Sequence, residues 1–232
     1  GKPLLADGHG VVPNFWRAPT DNDYGGGAGV INRVQEWRNP KFALKSIAME
    51  HGQNYACVTA KMDVVRMDAS LTLTYTLYAD GNLTVKEHLD VNEEARHKSM
   101  PTRFGMQWVM PQEYDMVNYY GRGPIENYSD RKESQHLGIF TQSVAEQYHA
   151  YIRPQESGSH YACKYMAVKD LFVVTAEKPF SCSVNPYTTE QLRETLHAFE
   201  LEENDFVNVC IDIAMRGVGS HSCGPDLPKE YE

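Results

Sequence analysis

The sequence predicts an all-β protein, and three observations carry that prediction. Several stretches of eight to ten residues alternate apolar and polar side chains with the period of a half-buried strand. An Asp80-Gly81 pair, the dipeptide that best fits a two-residue hairpin turn, sits between two such stretches. Only one extended helical pattern occurs, after Pro186, so one or two short helices are expected beside the strands.

In chain order, Val11 to Gly27 (VVPNFWRAPTDNDYGGG) has neither strand nor helix period and reads as a long structured loop. Its Asp21, Asn22 and Asp23 lack the alternate-acid spacing and distal Glu of a calcium loop, so turn and cap chemistry is expected there, with no metal. Val30, Val34 and Trp37 lie three to four apart and predict a short helix that Pro40 ends. Strands are predicted over 42–50, 55–65 and 70–78, with Leu71, Leu73, Tyr75 and Leu77 alternating with Thr. After the Asp80-Gly81 turn, the return strand carries Leu83 and Val85 on one face and Lys86 and His88 on the other. Further strands are predicted over 102–110, 161–168, 171–176 and 206–215.

Between them, Val117 to Arg131 (VNYYGRGPIENYSDR) shows no period beyond Tyr120. Gly121, Gly123 and Pro124 break regular structure there, so a contact loop is predicted that presents Arg122, Glu126, Asn127, Tyr128, Asp130 and Arg131. Thr188 with Gln191 three residues on forms a capping box, and Leu192, Leu196 and Phe199 predict one apolar helix face behind it. The last strand is followed by a Gly-rich stretch with no closing strand. The expectation is a single domain over 1–232 that forms part of a longer chain, or one that exchanges a strand with a partner.

Composition narrows the function. At 232 residues, 41% hydrophobic and 11% aromatic, the chain is long enough to bury a core without staples. A net charge of -9 with no basic block excludes nucleic acid and anionic membranes as expected partners. No apolar run reaches the ~20 residues of a membrane span. Five widely spaced cysteines, with no C-x-x-C, read as buried thiols and lean toward a reducing compartment.

Glu126 with Asp130 or Glu133 could form a glycosidase carboxylate pair, which requires ~5 Å for retention or ~6.5 to 9.5 Å for inversion. Loop acids are more often hydrogen-bonded or solvated, so a structural role is favoured. His149 or His160 with Glu126 or Glu156 could serve as acid and base for sugar ring opening. No serine elbow, phosphate loop or dinucleotide fingerprint is present.

Four motifs, NFWRAPTDND (14–23), YGRGPIENYSDR (120–131), YIRPQESGSHY (151–161) and GVGSHSCGP (217–225), together resemble the C-terminal small-chain domain of bacterial β-galactosidases of glycoside hydrolase family 2. The resemblance implies a large two-sheet antiparallel supersandwich of the galactose mutarotase type. It also implies that the catalytic acid and nucleophile lie on a preceding barrel, so that this segment is accessory and inactive alone. By the same resemblance, Arg122, Glu126, Asn127, Tyr128 and Asp130 border the sugar cleft. The family's platform Trp is replaced by Cys223, with His221 the neighbouring ring. Asn14, Phe15, Trp16, Arg17, Asp21, Asn22 and Asp23 fall at a domain interface. The implied partners are the preceding domains, a β-galactoside or other sugar, and further copies of the full-length chain. No cofactor is implied in this segment, since the Mg and Na of the family are held by other domains. A free-standing carbohydrate-binding module and an aldose epimerase-like protein remain the alternative readings.

Overall fold

A computed structural model describes residues 3–25, 30–96, 101–219 and 226–231. The chain divides into two compact units, one formed by residues 1–31 with 101–232 and the other by 32–100.

The smaller unit is a four-stranded antiparallel meander of β2 (Phe42–His51), β3 (Tyr55–Val64), β4 (Ala69–Tyr78) and β5 (Leu83–Val91), paired in that order. The predicted turn is present at Asp80-Gly81, within a connection of four residues, 79–82, and not two. Gly81 adopts φ 90, and the Asp80 carboxylate accepts the Asn82 amide at 3.0 Å, which fixes the hairpin register over nine residue pairs. Burial along β4 fades from Leu71 and Leu73, both buried, to Leu77, which is 54% exposed.

The larger unit is built on a seven-stranded antiparallel sheet. Its strands are β1 (Val12–Asn14), β6 (Arg103–Pro111), β7 (Met116–Gly123), β8 (His136–Ser143), β9 (His160–Val168), β10 (Phe172–Asn185) and β11 (Phe206–Met215). Their order across the sheet is β1-β6-β11-β10-β9-β7-β8. One face carries the apolar core, including Trp108, Met110, Val117, Tyr119, Met166, Val168, Phe180, Val184 and Val209. Strand alternation supplies it: every second residue of β7 from Val117 is buried, as the period-two pleat requires. At ~1.5 to 3 kcal/mol for each large side chain removed from water, this cluster is the main stabilising term of the unit.

The opposite face of the central strands is also buried, and it is polar. On β11, Val207, Val209 and Ile211 point into the core while Cys210 and Asp212 point the other way. On β10, Ser181, Ser183 and Asn185 alternate with the core residues Phe180, Cys182 and Val184. A buried polar sheet face must find hydrogen-bond partners, and the irregular segments of the unit supply them.

Several expectations are corrected. Residues 120–123 continue strand β7 and pair with β8 as far as Gly123 opposite His136, so the contact loop begins only after the strand. Glycine at 121 and 123 is what lets the strand continue, because a Cβ there would collide with Cys163 or with Tyr119 and Phe140. The sequence reading missed β1, β8 and α4 (Val144–Gln147), whose Ser143/Glu146 capping box was legible in the chain. The helix after Pro186 is the short α5 (Thr189–Glu194), capped by Thr188 and Gln191 as expected. It does not extend its apolar face, for Leu196 is 59% and Phe199 86% exposed. The 30–37 expectation holds as α2 (Val30–Gln35), with Val30, Val34 and Trp37 buried. The Asp-rich turn forms the five-residue α1 (Asp21–Gly25). Cys57, Cys163, Cys182 and Cys210 are free and buried thiols.

Candidate functional site

Three of the four motifs converge on the buried polar face of the larger sheet. The first, 14–23, is anchored by β1. Arg17 is 1% exposed, and its guanidinium donates to both Asp23 oxygens at 2.6 and 3.2 Å, to the Ala18 carbonyl and to the Gly217 carbonyl. Burial opposes ionisation of Asp23, but the adjacent Arg17 charge and its hydrogen bond outweigh that and hold the carboxyl below its usual range. Asn14, Phe15, Trp16, Arg17 and Asp23 are each covered by the chain itself. Asp21 is exposed and Asn22 half-buried.

The second motif leaves β7 and folds back through a tight turn in which Tyr128 and Arg131 exchange backbone hydrogen bonds at 3.2 and 2.9 Å. Arg122 donates to the Lys132 and Gln135 carbonyls, closing the loop behind the turn. Asn127 is 0% exposed. It donates to the Arg122 and Ile125 carbonyls and accepts the Tyr161 amide, so its side chain is fully committed within the fold. Glu126 has a side chain only 4% exposed that accepts from Arg131 at 2.5 Å, from Tyr151, from the Gly158 amide at 2.7 Å and, at 3.4 Å, from the buried Tyr128 hydroxyl. Burial and then the Glu126 charge push the Tyr151 hydroxyl up to about 12. A carboxylate saturated in this way ties two loops together.

The third motif is buried from Pro154 to His160, and successive residues reach different elements. Gln155 exchanges hydrogen bonds with Asp21, and Glu156 takes Arg103 at 2.5 Å. Ser157 bonds the His149 backbone, and the Ser159 carbonyl accepts the Asn127 amide. His160 meets Gln147 at 2.8 Å and stacks on Tyr119 with ring centroids 4.3 Å apart. Burial draws the His160 pKa down to about 4, against a backbone contact with Arg122 that favours the charged ring, so the imidazole is neutral near pH 7. His149 is exposed, its ring edge-on to Tyr151 at 4.5 Å.

The fourth motif receives ties from the first two. Asp130 accepts the Val218 and Gly219 amides at 3.1 and 2.8 Å, while Thr20 and Asn22 donate to the Val218 carbonyl and Asn22 to that of Gly219. Residues 217–219 are thus held on every side, and they lead into 220–225. His221 and Cys223 lie outside the described residues.

Sequence reasoning missed the centre of this assembly. Arg103, on β6, is 3% exposed and contacts Glu156 and Asp212 together, the latter at 3.2 Å. Burial drives Asp212 up, Arg103 opposes and Glu156 adds to the rise, leaving its pKa at about 7. The signal was a lone charge within each of two otherwise apolar strands, Arg103 in RFGMQWVMP and Asp212 in FVNVCIDIAM. At the edge of the network, the 129–134 turn and Tyr231 line a cavity of about 240 Å³, with the Lys132 ammonium over the Tyr161 and Tyr231 rings at 5.0 and 5.7 Å. Among the described residues no group of three or more His, Cys, Asp or Glu is arranged to hold a metal ion. No described helix is long and apolar enough to cross a membrane.

The model of the β-galactosidase small chain matches residues 1–232, the whole of the chain. The chain belongs to the β-galactosidase small-chain family. Among curated relatives it is 35% identical to the β-galactosidase of Actinobacillus pleuropneumoniae, over 94% of this chain and 22% of that protein. It is 32% identical to that of Staphylococcus xylosus and 34% to that of Lactobacillus delbrueckii subsp. bulgaricus, with the same shares of each. The small chain therefore spans about a fifth of these relatives, and the remaining four-fifths lie in other parts of the enzymes.

Proposed function

We propose that this chain is an accessory part of a β-galactosidase of glycoside hydrolase family 2, which hydrolyses terminal β-galactosides with catalytic residues carried elsewhere in the protein. In this reading the small chain shapes the acceptor side of the cleft through the segment that begins at Gly217, and packs against the other domains of the same polypeptide. The observation that carries it is the division of labour within the motifs. Arg17, Asp23, Glu126, Asn127, Asp130 and Glu156 are all engaged in internal hydrogen bonds, and four side chains (Arg17, Thr20, Asn22 and Asp130) hold the backbone of 217–219.

Positioning of this kind contributes through geometry and water exclusion, not bond chemistry. The sugar contact, the homo-oligomer, any metal carried by other domains and the mutarotase-like type of the fold belong to the same proposal. The epimerase reading is disfavoured by His160, which is buried, neutral and engaged with Gln147, and by Glu126, whose oxygens are occupied.

The test is hydrolysis of a nitrophenyl β-galactoside by this segment alone and by the full-length protein that contains it. The expected result is activity in the full-length protein only. Activity of the segment that survives repurification and disappears in Glu126→Gln would overturn the proposal.

A further inference from the structure

Arg103 and Asp212, which the accessory reading does not use, form a charge cluster with Glu156. Asp212 lies on the polar face of β11 at a bulge: it pairs with Gly105, whereas Ala214 pairs with Phe104, so Ile213 is the extra residue and turns out to 45% exposure. The bulge leaves Asp212 2% exposed beside Arg103, and its Oδ1 has no hydrogen-bond partner among the described residues. Glu156, 4% exposed, reaches the same guanidinium from the 153–160 segment. One buried guanidinium thus faces two buried carboxylates, and with both ionised the cluster carries an uncompensated negative charge away from water.

Among the described residues the neighbouring groups offset it only in part. From β10, Ser181 pairs with Asp212, and on β11 Cys210 lies beside both Asp212 and Arg103, its thiol pushed up to about 11 by burial. Tyr128 faces Arg103 and stays a neutral phenol. Arg17 faces Glu156 but is itself paired with Asp23, and Glu126 adds a second negative charge on that side.

We propose that the Asp212–Arg103–Glu156 cluster is a proton-linked latch on the 153–160 segment, closed when the cluster holds one proton and loosened when both carboxylates are ionised. The proton resides on Asp212, the carboxyl whose second oxygen is orphaned. Asp212 is fixed in a sheet paired on both sides, so repulsion is relieved at the irregular segment that carries Glu156. Release there draws on Gln155, Ser157, Gly158 and Ser159, the residues that fasten the segment to the motif loops. The sign follows from linkage: the folded pKa of Asp212 is raised, so its stabilising contribution is complete below the ordinary carboxylate pKa and is lost as pH rises through about 7.

The test is amide hydrogen exchange, resolved by peptide, in the full-length protein that contains this chain, corrected for intrinsic exchange rates. Between pH 6 and 8.5, protection of the 155–160 amides is expected to fall about tenfold, the change that one linked proton produces. Protection of the β11 amides of Val207 to Ile211 should remain unchanged. Asp212→Asn should keep protection high and flat with pH, and Glu156→Gln should move the transition to lower pH. Corrected protection that is independent of pH in the parent overturns the latch, and so does a tenfold loss that persists in Asp212→Asn. The parent measurement decides by itself should either variant fail to fold.

Discussion

Asp130 accepts the consecutive backbone amides of Val218 and Gly219, 88 and 89 residues away in sequence, and leaves no room at Gly217, where a Cβ would lie 2.6 Å from the Asp130 carboxyl carbon. A carboxylate bridging two successive amides is a pair of charge-assisted bonds, each worth ~1.5 to 3 kcal/mol. Asp130→Ala should therefore release the 216–219 backbone while the sheet stays intact. We expect a loss of ~2 to 4 kcal/mol in local protection at Val218 and Gly219, read by hydrogen exchange, with little change at Val209. Gly217→Ala should give a similar local effect by pushing the carboxylate away.

The Arg17–Asp23 pair makes a second prediction. Both partners are buried, so removing one leaves a charge that no water reaches, at a cost of ~3 to 5 kcal/mol. Arg17→Met should be the more damaging change, because it also orphans the Gly217 carbonyl. The pH sign is fixed by the depressed Asp23 pKa: its contribution is present above the ordinary carboxylate range and is lost as pH falls through the lower folded value. Urea midpoints measured from pH 6 down to pH 3 should drop more steeply in the parent than in Asp23→Asn. Equal slopes would show that the pair does not govern the acid limb.

The fold was legible where one physical signal dominated. The Asp80-Gly81 hairpin, the Thr188 capping box and the apolar alternation of β4, β6 and β11 each fix a local geometry that the sequence states outright. It was illegible where tertiary contacts override local chemistry. Residues 120–123 look like a loop because they contain glycines, yet those glycines are demanded by Cys163 and Phe140 packing against a continuing strand. The candidate site shows the same split. The four motifs could be located in the sequence, but that Glu126 and Asn127 are spent internally depends on partners 25 to 34 residues away. Arg103 and Asp212 were hidden as single charges in apolar strands, and only the pairing of β6 with β11 brings them together.

Glu126 and Tyr151 link the second motif to the third, and their coupling can be measured. Glu126→Gln keeps the shape but loses the charge that Arg131 and the Gly158 amide bind, and Tyr151→Phe removes one donor to the same carboxylate. Each single change should cost ~1 to 3 kcal/mol, and the double-mutant cycle should show a coupling of ~1 kcal/mol or more. In the full-length protein, Glu126→Gln should retain turnover of a nitrophenyl galactoside within about tenfold of the parent, since a general acid or base typically contributes 10² to 10⁴. A larger loss of kcat at unchanged stability would assign Glu126 a direct role in the chemistry.

His160 gives the last prediction, and its sign is opposite to that of Asp212. The ring lies stacked on Tyr119, donates its Nε2–H to the Gln147 side-chain oxygen, and is nearly out of contact with water. Its folded pKa, at about 4, is below the ordinary histidine value, so the unfolded chain binds a proton more readily than the folded one across that interval. Stability should therefore fall as pH drops from about 6.5 toward 4, by up to ~3 kcal/mol at ~1.4 kcal/mol for each pKa unit. His160→Gln preserves an amide partner for Gln147 without a titrating ring, and should remove that part of the slope while leaving the Asp23 contribution at lower pH. If His160→Gln and the parent lose stability in parallel between pH 6.5 and 4, the imidazole is not the group that couples this core to acid.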